Sequence, residues 1–178
     1  MTERGTTRTK APASRKARAG TKLARRGPAR QSSARVIVAP DTSRLTLPRI
    51  ERRRSSLHGW GVFALEAITK NRRIIAYTGE RITHKESLRR ERRYLRDGSI
   101  WCFRLNSRWV VDGAVGGNDA RFVNHSCTPN CYTQIVDGII WVRAARNIGK
   151  GEELTYNYYT EGTGEIPCLC QPECTNRL

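Results

Sequence analysis

The sequence predicts a mainly β domain with few helices, carried behind a basic tail that has almost nothing apolar to fold around. Three observations lead there. Short runs of β-branched and aromatic residues recur from Arg73 onward, separated by Asn-Ser, Asp-Gly and Gly-Gly pairs that favour turns. One segment, opening at Thr83, carries the chemistry of a helix start. Residues 1–35 hold Leu23 and little else of apolar size among Arg, Lys, Thr, Ala and Gly, so no burial offsets the entropy of ordering them.

At 178 residues the chain has room for one globular domain and a tail. The predicted organisation is a disordered basic tail over 1–45, a folded domain over 46–160 and a cysteine-rich segment over 161–178. Eleven Lys/Arg against one acid fall in residues 1–35, and twenty-two against fifteen in the remainder. Such a cationic strand attracts DNA or RNA through phosphate neutralisation without reading sequence. It would serve equally as a solubilising tail.

Taken in order, residues 36–48 form a lead-in broken by Pro40 and Pro48. Ile50–Leu57 reads as an edge strand and Val62–Ala64 as its neighbour, with His58-Gly59-Trp60-Gly61 as the tight connection. Strands follow at Arg73–Tyr77, Trp101–Leu105, Trp109–Val111, Cys131–Val136 and Ile139–Ala144. Between the last two, Asp137-Gly138 supplies two residues able to take positive φ, the signature of a two-residue hairpin. The helix runs from the capping box Thr83-His84-Lys85-Glu86 to Gly98. Leu88, Tyr94 and Leu95 give it a partial apolar stripe, while Arg89, Arg90, Arg92, Arg93 and Arg96 make much of its surface cationic. A solvated helix with Glu86–Arg90 pairing and a nucleic-acid face are both open.

No run of eighteen apolar residues is present, which argues against a membrane span, and the start of the chain lacks the apolar core of a secretory signal. The expected compartment is intracellular, a nucleus or a bacterial nucleoid. In a reducing compartment, six cysteines read as metal ligands and buried thiols rather than disulfides. Cys102 and Cys131 fall on strands. Cys168, Cys170 and Cys174 pack three thiols into seven residues, and with a fourth from elsewhere they would complete a tetrahedral Zn²⁺ site.

Two segments carry most of the chemistry: Arg121-Phe122-Val123-Asn124-His125-Ser126-Cys127-Thr128-Pro129-Asn130-Cys131 and Gly151-Glu152-Glu153-Leu154-Thr155-Tyr156-Asn157-Tyr158. Cys127 beside His125 could be a thiol nucleophile activated by imidazole, although no glycine-rich nucleophile turn accompanies it. Tyr156 and Tyr158 alternate, so on a strand both phenols face one side. Glu152-Glu153 reads as a solvated turn rather than a carboxylate pair.

With Gly59-Trp60-Gly61, Tyr77-Thr78-Gly79-Glu80 and the terminal cysteines, these form five ordered motifs over about residues 50–178. The set resembles the SET-domain lysine methyltransferases with a post-SET zinc segment. That resemblance implies a fold of several small β-sheets with a knot-like threading, in which the Asn-His-Ser-Cys segment lies beside the last tyrosine strand. It implies S-adenosylmethionine bound by Gly59, Trp60, Gly61, Arg121, Asn124 and His125. It implies a lysine channel lined by Tyr77, Tyr156 and Tyr158, with the Tyr158 hydroxyl near the reacting methyl and amine. Tyr156 occupies a position where members carry Phe or Tyr, and Tyr there goes with fewer methyl groups added. The Zn²⁺ ligands implied are Cys127, Cys168, Cys170 and Cys174. The spacing departs from the usual pattern, with three residues rather than four before the last cysteine.

The implied substrate is a protein lysine, on a histone or histone-like basic protein. A positively charged domain disfavours a basic peptide unless Glu161, Glu165 and their neighbours form a local acidic groove, or DNA attracts both partners. Arg8-Thr9-Lys10 and Ser14-Arg15-Lys16 resemble histone-tail contexts, so the chain's own tail, with Lys22, is a further expected target. A catalytically silent SET-like module binding basic tails or nucleic acid is the alternative reading, and a zinc-stabilised nucleic-acid-binding protein a third.

Overall fold

The computed structural model describes residues 35–37, 40–160 and 166–178. The tail up to residue 34, with Lys10, Lys16 and Lys22, lies outside the described residues, as do Glu161 and Glu165. The described chain is mainly β, in four small sheets with one α-helix.

The first hairpin pairs β2 (Ile50–Arg54) with β3 (Trp60–Ala64), so the second strand starts two residues earlier than the sequence suggests. Trp60 and Gly61 therefore sit on a strand, and the connection closes at Gly59, whose φ of 48° suits a residue without Cβ.

The central sheet is ordered β4 (Arg73–Tyr77), β10 (Ile139–Ala144), β9 (Cys131–Val136), all antiparallel. Its hairpin turns on Asp137 and Gly138 at φ 51° and 73°, matching the mirror-image turn their residue types predict. Strand β10 lies in the middle and buries Ile140, Trp141 and Val142 in succession. Val62, Ala64, Ile68, Ile74, Val123, Val142, Ile148, Leu154 and Tyr156 join into one apolar core around this sheet.

A second sheet is ordered β1 (Arg35–Ile37), β5 (Gly79–Thr83), β7 (Trp109–Asp112), β6 (Cys102–Arg104). Strand β1 lies within the stretch assigned to the disordered tail, so that boundary is revised: Arg35–Ile37 adds antiparallel to the edge of β5. Strand β5 was not legible either, because Gly-Glu-Arg-Ile-Thr has a single large apolar residue. It forms through its ladder with β7, and a Cβ at Gly79 would collide with the backbone of Asp112 and Gly113.

Helix α1 (His84–Arg96) begins as expected, with the Thr83 hydroxyl accepting from the Glu86 amide at 3.3 Å. The reciprocal half of the capping box is absent, since the Glu86 carboxylate binds Arg89 and Arg90 instead. Arg90 is no solvated helix cation. Its guanidinium reaches Glu80 and, at 2.8 Å, Asp112, a carboxylate with no exposed surface. The Tyr94 hydroxyl donates to the same Asp112 oxygen at 2.9 Å and the Ala114 amide to the other. Both oxygens of this buried carboxylate are thus hydrogen-bonded, and one of them also faces a cation, which is what makes its burial tolerable.

Candidate functional site

Two short strands assemble the site. β8 (Asn124–His125) runs parallel to β11 (Thr155–Tyr156), with Thr155 opposite Asn124 and Tyr156 opposite His125. Buried Asn130 locks them: its amide nitrogen donates to the Glu153 carbonyl at 2.7 Å and its oxygen accepts from the Thr155 amide at 2.9 Å. The Ser126 amide adds a bond to the Tyr156 carbonyl at 3.2 Å. A 3-10 helix, Asp119–Phe122, delivers Arg121 immediately before β8.

Asn124 is buried, and its amide nitrogen meets the Trp60 carbonyl at 3.0 Å, the Glu153 carboxylate at 2.8 Å and the His58 carbonyl at 3.3 Å. Both amide hydrogens are therefore held by the protein, which leaves the carboxamide oxygen as the group to meet a ligand's donor. Glu153 is not a solvated turn residue, because it also accepts from the Ser55 hydroxyl at 2.8 Å. Gly61 faces this carboxylate rather than a ligand. A Cβ there would strike Glu153 and Ser55.

Beside Asn124 opens a cavity of about 460 Å³. Gly59, Trp60, Arg121, Asn124, His125 and Tyr158 line it, as do residues 98–101 beyond the sheet regions and Ile166, Pro167, Leu169, Cys170 and Leu178 from the C-terminal segment. Gly61, Tyr77 and Tyr156 do not line it. The volume suits a ligand of cofactor size. Arg121 donates to the Gly113 carbonyl at 3.0 Å, and its Nε is buried with no hydrogen-bond partner among the described residues.

Behind the cavity stands a row of aromatic rings. Tyr158 is 5.0 Å from Tyr156, Tyr156 is 6.1 Å from Phe103, and Phe103 is 5.4 Å from Tyr77, centroid to centroid. Phe103 was not singled out in the sequence, where it is one aromatic of an ordinary strand. Burial pushes the phenols of Tyr77, Tyr156 and Tyr158 above the usual tyrosine range. All three stay protonated at neutral pH. The Tyr77 hydroxyl donates to the Trp101 carbonyl at 2.7 Å and that of Tyr158 to the Val123 carbonyl at 3.0 Å, so each phenol oxygen keeps lone pairs to accept with.

The fourth component is sulfur. Cys127, Cys168, Cys170 and Cys174 bring their Sγ atoms within 4.8 Å of one another. Cys127 lies 3.8 Å from both Cys168 and Cys174. A tetrahedron with Zn–S bonds of about 2.3 Å has S···S edges of roughly 3.8 Å, so the donor set fits a closed Zn²⁺ site. The shortened spacing does not keep Cys174 away. Asn176 adds a hydrogen bond to the Cys127 sulfur at 3.1 Å. Cys102 and Cys131 stay on their strands, where burial pushes the Cys131 thiol up to about 12.

His125 lies between these components. Its Nδ1 accepts from the Tyr158 amide at 3.3 Å, its Nε2 is 3.4 Å from Cys127 Sγ, and burial lowers its pKa. Cys127 shares its surroundings with three other sulfurs, an arrangement for metal ligation rather than for a lone activated nucleophile.

Fold and site together define a SET domain, and comparison with known proteins agrees. The SET domain family model matches residues 59–159, and the chain belongs to that family. It is 46% identical over 127 residues to the Aspergillus fumigatus "Histone-lysine N-methyltransferase, H3 lysine-4 specific", which covers 66% of this chain and 10% of the relative. It is 40% identical over 138 residues to "Histone-lysine N-methyltransferase set1" of Dictyostelium discoideum, covering 73% of this chain and 9% of the relative. The chain thus spans about a tenth of the length of these relatives. Among solved structures, the Chaetomium thermophilum Polycomb Repressive Complex 2 bound to GSK126 superposes with a TM-score of 0.59 at 32% identity. That match covers 67% of this chain and 17% of the other. No helix among the described residues is long and apolar enough to cross a membrane.

Proposed function

We propose that the protein transfers methyl groups from S-adenosylmethionine to a lysine side chain of a histone or histone-like protein. The observation that carries this reading is the double position of Tyr158, which lines the cavity and also touches the aromatic row through Tyr156. When bound, S-adenosylmethionine supplies an electrophilic methyl group on a positively charged sulfur. Gly59, Trp60, Arg121, Asn124 and His125 hold the cofactor in this reading, with Gly61 acting only through the room it leaves for Glu153. Cys127, Cys168, Cys170 and Cys174 hold Zn²⁺ and so fix the C-terminal segment against the cavity.

The chain's own residues prepare the lysine. An amine with an ordinary pKa of about 10.4 arrives protonated, and a dry aromatic channel disfavours that charged form, so the proton is released to solvent water before the neutral amine is seated. Protonated phenols cannot serve as bases. They orient instead: the Tyr158 oxygen, its hydrogen committed to Val123, offers lone pairs at the junction of cavity and channel. Alignment of this kind can lower a barrier by roughly 7–11 kcal/mol. The tyrosine ring at position 156, 5.0 Å from that of Tyr158 where family members carry Phe or Tyr, supports mono- or dimethylation.

The histone-lysine names of the relatives support the substrate class and a place at chromatin or a nucleoid. The chain's own Lys10, Lys16 and Lys22 remain a second target class, excluded if a mass spectrum after incubation with cofactor carries no methyl group on them. The test of the main reading is transfer of label from S-adenosylmethionine to histones and other basic proteins, with Tyr158→Phe in parallel. Loss of one positioned polar group lowers kcat by about 10²–10³-fold, with cofactor binding retained. Cofactor binding without transfer to any lysine would replace this reading by a silent binding module.

A further inference from the structure

Helix α1 carries its charges in two opposed sets. Ser87, Arg90 and Tyr94 face the β5–β7 sheet, where Arg90 and Tyr94 meet Asp112. At 100° per residue, Lys85, Arg89, Arg92 and Arg96 fall on one stripe directly opposite, about 16 Å long at 1.5 Å per residue. All four are exposed. Glu86 answers Arg89 alone of this stripe, and Lys85, Arg92 and Arg96 have no acidic partner among the described residues. Arg93, also exposed, flanks the stripe.

Two features say what such a face fits. Leu88 is the one large apolar side chain exposed on the helix, whereas a protein partner's interface has an apolar and aromatic centre. No aromatic ring on the helix is exposed either, Tyr94 being buried, so the stacking platform that single-stranded nucleic acid requires is missing. Cations in steps of three and four residues on a convex helix match a partner recognised by backbone charge alone.

We propose that this face binds the phosphate backbone of duplex DNA without reading its sequence. None of the four stripe residues lines the cavity, although the helix leads into residues 98–101, which do. The contact brings the domain to DNA-bound basic proteins, towards which its own positive charge is otherwise unfavourable.

The experiment compares duplex-DNA affinity against salt for three full-length proteins: the parent, Lys85→Gln/Arg92→Gln/Arg96→Gln, and Arg44→Gln/Lys70→Gln/Lys150→Gln. Each variant removes three exposed charges and leaves residues 1–34 untouched. Each lost phosphate contact lowers the slope of log K against log salt by about 0.9, so the helix variant is expected to lose roughly 2.7 from its slope and the second variant much less. Equal slope changes in the two variants would overturn the proposal, leaving only a net-charge effect. So would an unchanged slope in the helix variant, or helix-dependent capture of a poly-glutamate peptide with no helix-dependent DNA binding.

Discussion

The central sheet, whose apolar core backs Phe122 and Tyr158 of the cavity, and the C-terminal segment, which lines the cavity directly, are held by different physics. Strand β10 packs Ile140, Trp141 and Val142 at 2% exposure or less, inside ladders on both sides. Residues 166–178 bury little beyond Cys168, with Leu169 57% exposed, and add the bridge between Pro167 and Arg177. Apart from a few backbone hydrogen bonds within the segment, what ties it to the rest of the domain is the cluster of its three cysteines with Cys127. The β8–β11 wall of the cavity is therefore backed by apolar burial, while the C-terminal wall rests on a sulfur cluster that a bound metal would close, and should answer to chelators and oxidants.

The sharpest way to break that contrast is from the core side. Ile140→Ala removes a fully buried side chain from the middle strand and is expected to destabilise the whole domain by about 2–5 kcal/mol, read by denaturant unfolding. Both walls fail together in that variant. From the other side, Asn176→Ala removes the hydrogen bond to the Cys127 sulfur, and a lost partner of a metal ligand lowers metal affinity by about 10–100-fold. Competition with a chelator measures it. Unfolding of the sheets in the metal-loaded protein should be unchanged.

A smaller effect lies away from both walls. Arg89 and Arg90 hold the Glu86 carboxyl down at about 2, below its ordinary 4.5. A carboxylate depressed in the folded state stabilises above its unfolded pKa, and that contribution fades as pH falls from about 4.5 through 2. Parent and Glu86→Gln should thus differ by roughly 0.3–1 kcal/mol at pH 7 and converge in acid, measured by thermal unfolding across that window.

What could be read from the sequence follows the same division between local and distant causes. The β9–β10 hairpin was legible because Asp137-Gly138 and the flanking β-branched runs specify it locally, and the start of α1 because Thr83 and Glu86 lie three residues apart. Strands β8 and β11 have two residues each, too few for any periodicity to show. Glu153 was read as solvated, and of the partners of Arg90 only Glu86 was legible, because Asn124 and Asp112 lie 29 and 22 residues away. Three of the four clustered sulfurs announce themselves by spacing. Cys127 came only through family resemblance, since nothing local ties it to Cys168.

The central claim is that one lysine-methylating site is assembled from a metal-independent wall and a metal-dependent one. Its most direct test is methyl transfer from labelled S-adenosylmethionine to histone by the full chain, measured as prepared, after chelation, and after Zn²⁺ is returned, with circular dichroism on each sample. The account predicts transfer that disappears on chelation and recovers with Zn²⁺ while the β signal persists throughout. Transfer indifferent to chelation in a protein shown to have lost its metal, or no transfer in any of the three, would contradict it.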